Sequence, residues 1–100
     1  MIIIAGTGLI RPEKLNEAVQ SVQEMVRTTR QEEGCLDYSV YVDPLQNTKF
    51  MIFEQWNSQA DLERHFATAH FQQFGSYLNT VIDGELQIHR YEVSSVSNLF

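Results

Sequence analysis

Two histidines close together are the side chains best suited to acid–base chemistry. His65 and His70 stand five residues apart. An imidazole titrates in the physiological range, so it can take a proton from an acidic phenol or enediol. We predict that His65 is the general base, with a structural hydrogen bond as the alternative role. For His70 we predict substrate binding, or equally a helix-capping role. Metal ligands that face each other on one helix are three or four residues apart, so this spacing predicts no metal site.

An unusual carboxylate occupies an otherwise apolar side of a predicted strand. Glu54 shares that side with Ile52 and Trp56. Burial of an unpaired carboxylate is costly, so Glu54 is expected to be protonated or to have a partner, either Arg90 or a histidine. The functional hypothesis is that Glu54 orients or polarises His65. The alternative is a structural ion pair or a solvent-facing strand end.

Aromatic side chains supply candidate walls for a binding pocket. Trp56 is expected either to stack on a flat substrate or to anchor the core. Tyr38 lies on the inward side of its predicted strand and is expected to donate a hydrogen bond to a substrate oxygen. Cys35 is the only cysteine, so no intrachain disulfide can form. No His or Lys adjoins it in sequence, and we expect it to be inert. A chain with a single cysteine and no disulfide is typical of a cytoplasmic protein.

The elements that position these residues follow a β-α-β-β-α-β order. Apolar residues at every second position mark the strands, and apolar residues three or four positions apart mark the helices. Gly34 is the expected stop of the first helix. We predict strand 1–9, helix 12–33, a hairpin of strands 36–43 and 50–56, a helical region 58–82 with or without a bend near Thr68, and strand 86–93. This order predicts an α+β, ferredoxin-like fold with helices on one face of an antiparallel sheet.

The length and the apolar pattern also predict how the chain is organised. One hundred residues form a single domain, 1–100, with a core of about 1–93 and a tail at 94–100. Strand 1–9 and strand 50–56 are apolar on both sides. A second copy of the chain is the simplest cover for the face without helices, so we expect a homodimer.

The charge balance excludes several classes of partner. The chain has 7 Lys and Arg against 13 Asp and Glu, for a net charge of −6. The sequence has no cluster of basic residues that could neutralise phosphate groups, so we expect no binding to nucleic acid or to an anionic membrane. The opening apolar run at 1–5 is too short for a signal peptide or a spanning helix.

Three segments resemble the antibiotic biosynthesis monooxygenase (ABM) superfamily, in family order and spacing. They are EEGC at 32–35, EQW at 54–56 and LERHFATAHF at 62–71. The likeness is greatest to small bacterial quinol monooxygenases and autoinducer-2-processing proteins, and His65 and His70 match the family pattern. The resemblance implies a dimeric α/β barrel with one pocket per subunit between sheet and helices. It also implies oxygenation without flavin, haem or metal in several members.

The expected function is therefore a cofactor-independent monooxygenase that oxidises a small quinol or hydroxyarene with O₂. Haem is not expected, because the haem-ligand position of haem-degrading relatives falls near Gly75 and their porphyrin-distorting tryptophan falls near His65. One alternative is isomerisation or breakdown of a small signalling metabolite, for which Arg90 would supply the cationic group. Another is a non-catalytic dimeric module that binds a small molecule.

Overall fold

The computed structural model describes residues 1–100. In chain order it contains β1 (Ile2–Leu9), a 3₁₀ turn (Pro12–Lys14), α1 (Leu15–Thr29), β2 (Cys35–Asp43), β3 (Gln46–Trp56), α2 (Gln59–Phe66), α3 (Ala69–Val81) and β4 (Gln87–Glu92). The predicted α+β, ferredoxin-like order is confirmed, with the second helical region divided into two helices.

The four strands form one antiparallel sheet in the order β2-β3-β1-β4. Residues that lie opposite each other in neighbouring strands point to the same face. Glu54 pairs with Tyr38 on one side and with Ile4 on the other, and Ile4 pairs in turn with Arg90. This row lies on the helix-covered face. β4 is an edge strand whose six residues are all exposed.

The core lies between the helices and one face of the sheet. It consists of two clusters of buried apolar side chains. The larger cluster comprises Ile2, Ile4, Met25, Tyr38, Trp56 and Leu62, and the smaller one comprises Ile10, Ala18 and Val81. Trp56 and Leu62 are completely buried, which makes the end of the sheet near α2 its best-packed region.

The connection from α1 to β2 differs from the sequence prediction. α1 ends at Thr29 rather than at residue 33, and the chain turns over 30–33 before Gly34. Gly34 adopts the left-handed conformation with φ of +80°, and a Cβ at this position would collide with the carboxylate of Asp61. The turn therefore packs directly against the start of α2.

Two side-chain caps separate α2 from its neighbours in the chain. The Ser58 hydroxyl accepts a hydrogen bond from the Asp61 amide at 3.2 Å, which confirms the predicted helix start. Thr68 adopts an extended conformation and accepts from the Phe71 amide at 3.2 Å, so α3 begins anew after it.

The face of the sheet opposite the helices carries apolar and aromatic side chains among polar ones, and in the single chain no helix covers it. Met51, Tyr41 and Tyr91 on this face are exposed. Residues 93–100 contribute no strand or helix, and Leu99 and Phe100 are exposed. None of the helices has the length and apolar character needed to cross a membrane.

Candidate functional site

A cluster of two imidazoles and one carboxylate lies where the turn after α1 meets the junction of α2 and α3. Nδ1 of His65 lies 2.7 Å from Oε2 of Glu32, and Nε2 of His70 lies 2.7 Å from the same oxygen. One carboxylate oxygen thus accepts hydrogen bonds from two rings. We call Glu32, His65 and His70 the His–Glu–His cluster.

The break at Thr68 brings the two histidines together. His65 is in the last turn of α2, and His70 is the second residue of α3. The Thr68 hydroxyl donates to the His65 carbonyl oxygen at 2.7 Å, which fixes the junction. The spacing argument against a shared site is therefore wrong, because it assumed that both residues belong to one continuous helix.

His65 is buried in the core. Its side chain is 1% exposed. The ring lies against Trp56 with centroids 4.7 Å apart and meets the edge of Phe71 at 5.1 Å. Burial lowers the pKa of His65, against the opposing effect of its hydrogen bond to Glu32. The ring is therefore neutral near pH 7, and only its Nδ1 is hydrogen-bonded to a protein side chain.

Glu54 is buried, but its partner is not the one predicted. Nε1 of Trp56 donates to Oε1 of Glu54 at 2.9 Å. Burial raises the pKa of Glu54 to about 7, the Trp56 hydrogen bond opposes this rise, and the Glu32 charge adds to it. The hypothesis that Glu54 orients His65 is wrong in its geometry, because Glu32 is the carboxylate bonded to that ring. Trp56 contacts both Glu54 and His65.

Arg90 does not reach Glu54. It lies on exposed β4, one strand beyond Ile4, and its guanidinium donates to Gln59 at 3.4 Å. The predicted pairing of Arg90 with Glu54 is therefore wrong, because an intervening strand separates the two side chains. Its predicted role in substrate binding has no support from this position.

Tyr38 and Cys35 are adjacent to the cluster on β2. The Tyr38 ring is buried and lies 5.9 Å from the His65 ring, and burial raises its pKa. Burial also raises the pKa of the Cys35 thiol to about 11, so this cysteine remains protonated.

An apolar cavity of about 270 Å³ lies between α1, α3 and the sheet. Thirteen of its sixteen lining residues are hydrophobic and none is charged. Its lining includes Val22, Val40, Ile52, Phe74, Leu78 and Ile88. None of the six predicted site residues lines it. This cavity could not be predicted from the sequence, because its lining residues have the pattern of ordinary core positions on helices and strands.

The cavity adjoins the buried cluster along two strands. Val40 and Ile52 line it, and Tyr38 and Glu54 are the next residues on the same face of those strands. Two residues along a strand span about 7 Å. Phe74 lines the cavity and also a more open cleft of about 290 Å³ between α1 and α3, where His70 is partly exposed. Phe74 is thus a shared wall.

Glu32 is the site residue that sequence reasoning missed. It stands in the EEGC segment, which carried part of the family resemblance but assigned no role to this glutamate. The available signal was physical: a buried histidine needs a hydrogen-bonding partner, and Glu32 lies at the end of the predicted helix 12–33, next to its glycine stop. Together, the cluster can hold a neutral imidazole in a fixed orientation, and Glu32 can stabilise the imidazolium that forms when the ring takes a proton.

Comparisons with known proteins agree with the fold. The sequence profile of the antibiotic biosynthesis monooxygenase family matches residues 1–76. YcnE of Bacillus subtilis, a proposed monooxygenase, is 30% identical over 94 residues, which cover 94% of this chain and 99% of YcnE. The uncharacterized protein sll1783 of Synechocystis is 30% identical over 98 residues, which cover 98% of this chain and 67% of that protein.

Solved structures show the same architecture. The crystal structure of a proposed antibiotic biosynthesis monooxygenase from Deinococcus radiodurans superposes with a TM-score of 0.92 at 30% identity and covers 100% of this chain and 99% of that chain. A conserved protein from Methanosarcina mazei superposes with a TM-score of 0.85 at 28% identity, and the match covers 90% of this chain and 89% of that chain. With the profile match over three quarters of its length, this chain belongs to the antibiotic biosynthesis monooxygenase family.

Proposed function

We propose that the protein is a cofactor-independent monooxygenase that oxidises a small quinol or hydroxyarene with O₂. The observation that carries this proposal is the uncharged apolar cavity beside a buried, neutral histidine anchored by a carboxylate. The family to which the chain belongs and the name of its relative YcnE agree with a monooxygenase.

The reaction needs a base and a site that excludes water. Nε2 of His65 takes the proton of a substrate hydroxyl, and the resulting phenolate is electron-rich enough to react with O₂ at a ring carbon. The carbon-bound hydroperoxide then loses water across its C–H and O–O bonds, which leaves a new carbonyl. A hydroquinone and O₂ thus give a hydroxyquinone and water. The substrate supplies all four electrons, so no external reductant is required.

The residues around His65 support the role of base. Glu32 holds Nδ1, which leaves Nε2 as the nitrogen without a protein partner. Glu32 also stabilises the imidazolium that forms after proton transfer. Trp56 and Phe71 pack against the ring and keep water away from it. Glu32 therefore acts as a positioning residue for the base.

The substrate has to reach His65 from the apolar cavity. Phe74 stands at the wall between the cavity and the side of the cluster where His70 lies. We propose that the Phe74 side chain moves aside when a flat ring enters, so that the substrate hydroxyl approaches the cluster. Tyr38 and Trp56 then flank the reacting end of the ring, and His70 lies on its solvent side.

The proposal extends to a homodimer. The outer sheet face carries apolar and aromatic side chains that no element of the single chain covers, among them Phe53, Met51 and Tyr91. The same patch on a second copy is self-complementary about a twofold axis. Such packing places two sheets face to face and leaves the helices, and with them the cavity, on the outside of each subunit.

Among the alternatives, a small signalling metabolite that needs a cationic partner fits the cavity poorly. Its lining includes no cationic side chain, and Arg90 is on an exposed strand, where its guanidinium donates to Gln59. A non-catalytic module that binds a small apolar molecule uses the same cavity, so it is distinguished by experiment rather than by shape.

The test is oxygen uptake with a panel of hydroquinones and naphthohydroquinones, measured above the rate of spontaneous oxidation. With ¹⁸O₂ we expect one labelled atom in the hydroxyquinone product and one in water. Val22→Trp, which fills the cavity from a half-buried position of α1, should abolish uptake while leaving the His–Glu–His cluster intact. A protein that binds these quinols without stimulating oxygen uptake would be the non-catalytic module.

A further inference from the structure

The His–Glu–His cluster has the donor atoms of a metal site. It offers two imidazole nitrogens and a carboxylate oxygen, and these ligand atoms all lie within 4.8 Å of one another. Imidazole nitrogen and carboxylate oxygen are standard ligands of zinc. We propose that Glu32, His65 and His70 bind one divalent transition-metal ion of the zinc class.

The geometry requires only small movements. Zinc bonds to nitrogen and oxygen are about 2.0 to 2.2 Å long, so the donors of a tetrahedral site are separated by about 3.3 Å. Glu32 Oε2 is now 2.7 Å from each histidine nitrogen. The carboxylate therefore has to withdraw by about 0.6 Å while the two rings approach each other. Rotation of the Glu32 side chain, which stands in a turn, lets the carboxylate withdraw, and the partly exposed His70 ring moves toward the buried His65 ring.

The surroundings provide both rigidity and access. His65 is held at 1% exposure between Trp56 and Phe71, so its ring is a fixed ligand. Glu32 and His70 are 15% and 27% exposed, which opens the cluster to solvent on one side. An ion can enter from that side, and water can complete its coordination. Three protein ligands with one open position are the pattern of an accessible zinc site.

Metal binding has a consequence for the reaction, and this consequence rests on the proposed function. An ion bound to His65 Nδ1 leaves the remaining proton on Nε2, so the ring can no longer accept a proton from the substrate. It also removes Glu32 as the group that stabilises the imidazolium. The metal would therefore act as an inhibitor of the metal-free oxygenase.

The experiment measures zinc binding directly, in the absence of any substrate. Protein treated with a chelator is titrated with Zn²⁺ against a chromophoric competitor, and with Co²⁺ to observe the absorption of a tetrahedral site. We expect one ion per chain. Glu32→Gln and His70→Gln each remove one ligand from a partly exposed position and should weaken binding about tenfold or more.

His89→Gln is the matched control. His89 is the third histidine of the chain and lies exposed on β4, away from the cluster, so its replacement should leave the affinity unchanged. Absence of stoichiometric binding by the wild-type chain would overturn the proposal, as would equal losses in His89→Gln and His70→Gln. Oxygen uptake by the metal-free protein tests the proposed function separately, so failure of one proposal does not imply failure of the other.

Discussion

The buried carboxylate of Glu54 makes the stability of the fold depend on pH. Its pKa is raised from the ordinary value of 4.5 to about 7 in the folded protein. Below pH 4.5 the carboxyl group is protonated in both the folded and the unfolded states. As the pH rises from 4.5 to 7, the unfolded chain ionises first, so the free energy of unfolding falls. Above pH 7 both states are ionised and the loss is complete.

The size of the stability loss follows from the size of the pKa shift of Glu54. Each tenfold change in an acidity constant corresponds to about 1.4 kcal/mol, so ionisation of Glu54 costs about 3 kcal/mol of stability at pH 8. Glu54→Gln removes the charge and keeps the oxygen that accepts the Trp56 hydrogen bond. We therefore expect the free energy of unfolding of the variant to exceed that of the wild type by about 3 kcal/mol at pH 8 and by about 1 kcal/mol at pH 5.

The assay is urea unfolding of both proteins at fixed concentration between pH 5 and pH 8. Glu63→Gln serves as the control, because Glu63 is exposed on α2 and its replacement should change stability by less than about 0.5 kcal/mol at every pH. A stability difference between Glu54→Gln and the wild type that stays constant across this range would refute the reasoning.

Three further predictions concern the site, a turn and assembly. His65→Ala should abolish oxygen uptake and, since the ring is buried, lower stability by about 2 to 4 kcal/mol, whereas the equally buried Leu62→Ala should show a similar cost and retain uptake. Gly34→Ala should cost about 2 kcal/mol or more in urea unfolding because its Cβ meets Asp61, while Gly84→Ala, with φ of +84° and open space, should cost about 1 kcal/mol. Sedimentation at micromolar concentration should show a dimer, and an 11.6 kDa monomer would contradict the proposed interface.

The order of elements could be predicted from the sequence because it depends on local patterns. Alternation of apolar residues located the strands, and Ser58 marked a helix start that its hydroxyl in fact caps. The end of α1 was missed because residues 30–33 are compatible with a helix, while the observed turn is stabilised by packing against α2. The local spacing of residues cannot predict that long-range contact.

The candidate site could be predicted only in part, for a related reason. His65, Glu54, Trp56 and Tyr38 stood out by residue type, and the fold brings them close together. The choice of Glu32 as the partner of His65 depends on a turn 33 residues away in the sequence. The cavity depends on incomplete packing between helices and sheet, and no single residue type marks it.

Trp56, the only tryptophan of the chain, lies at the centre of this site. Its indole donates to Glu54, lies against His65 and is completely buried. Intrinsic fluorescence excited through tryptophan therefore reports on this one location and not on an average over the molecule. A shift in its emission that precedes loss of helical signal during unfolding would mean that the site opens before the domain does. The protein thus contains a native optical probe for local opening at the place where the chemistry is proposed.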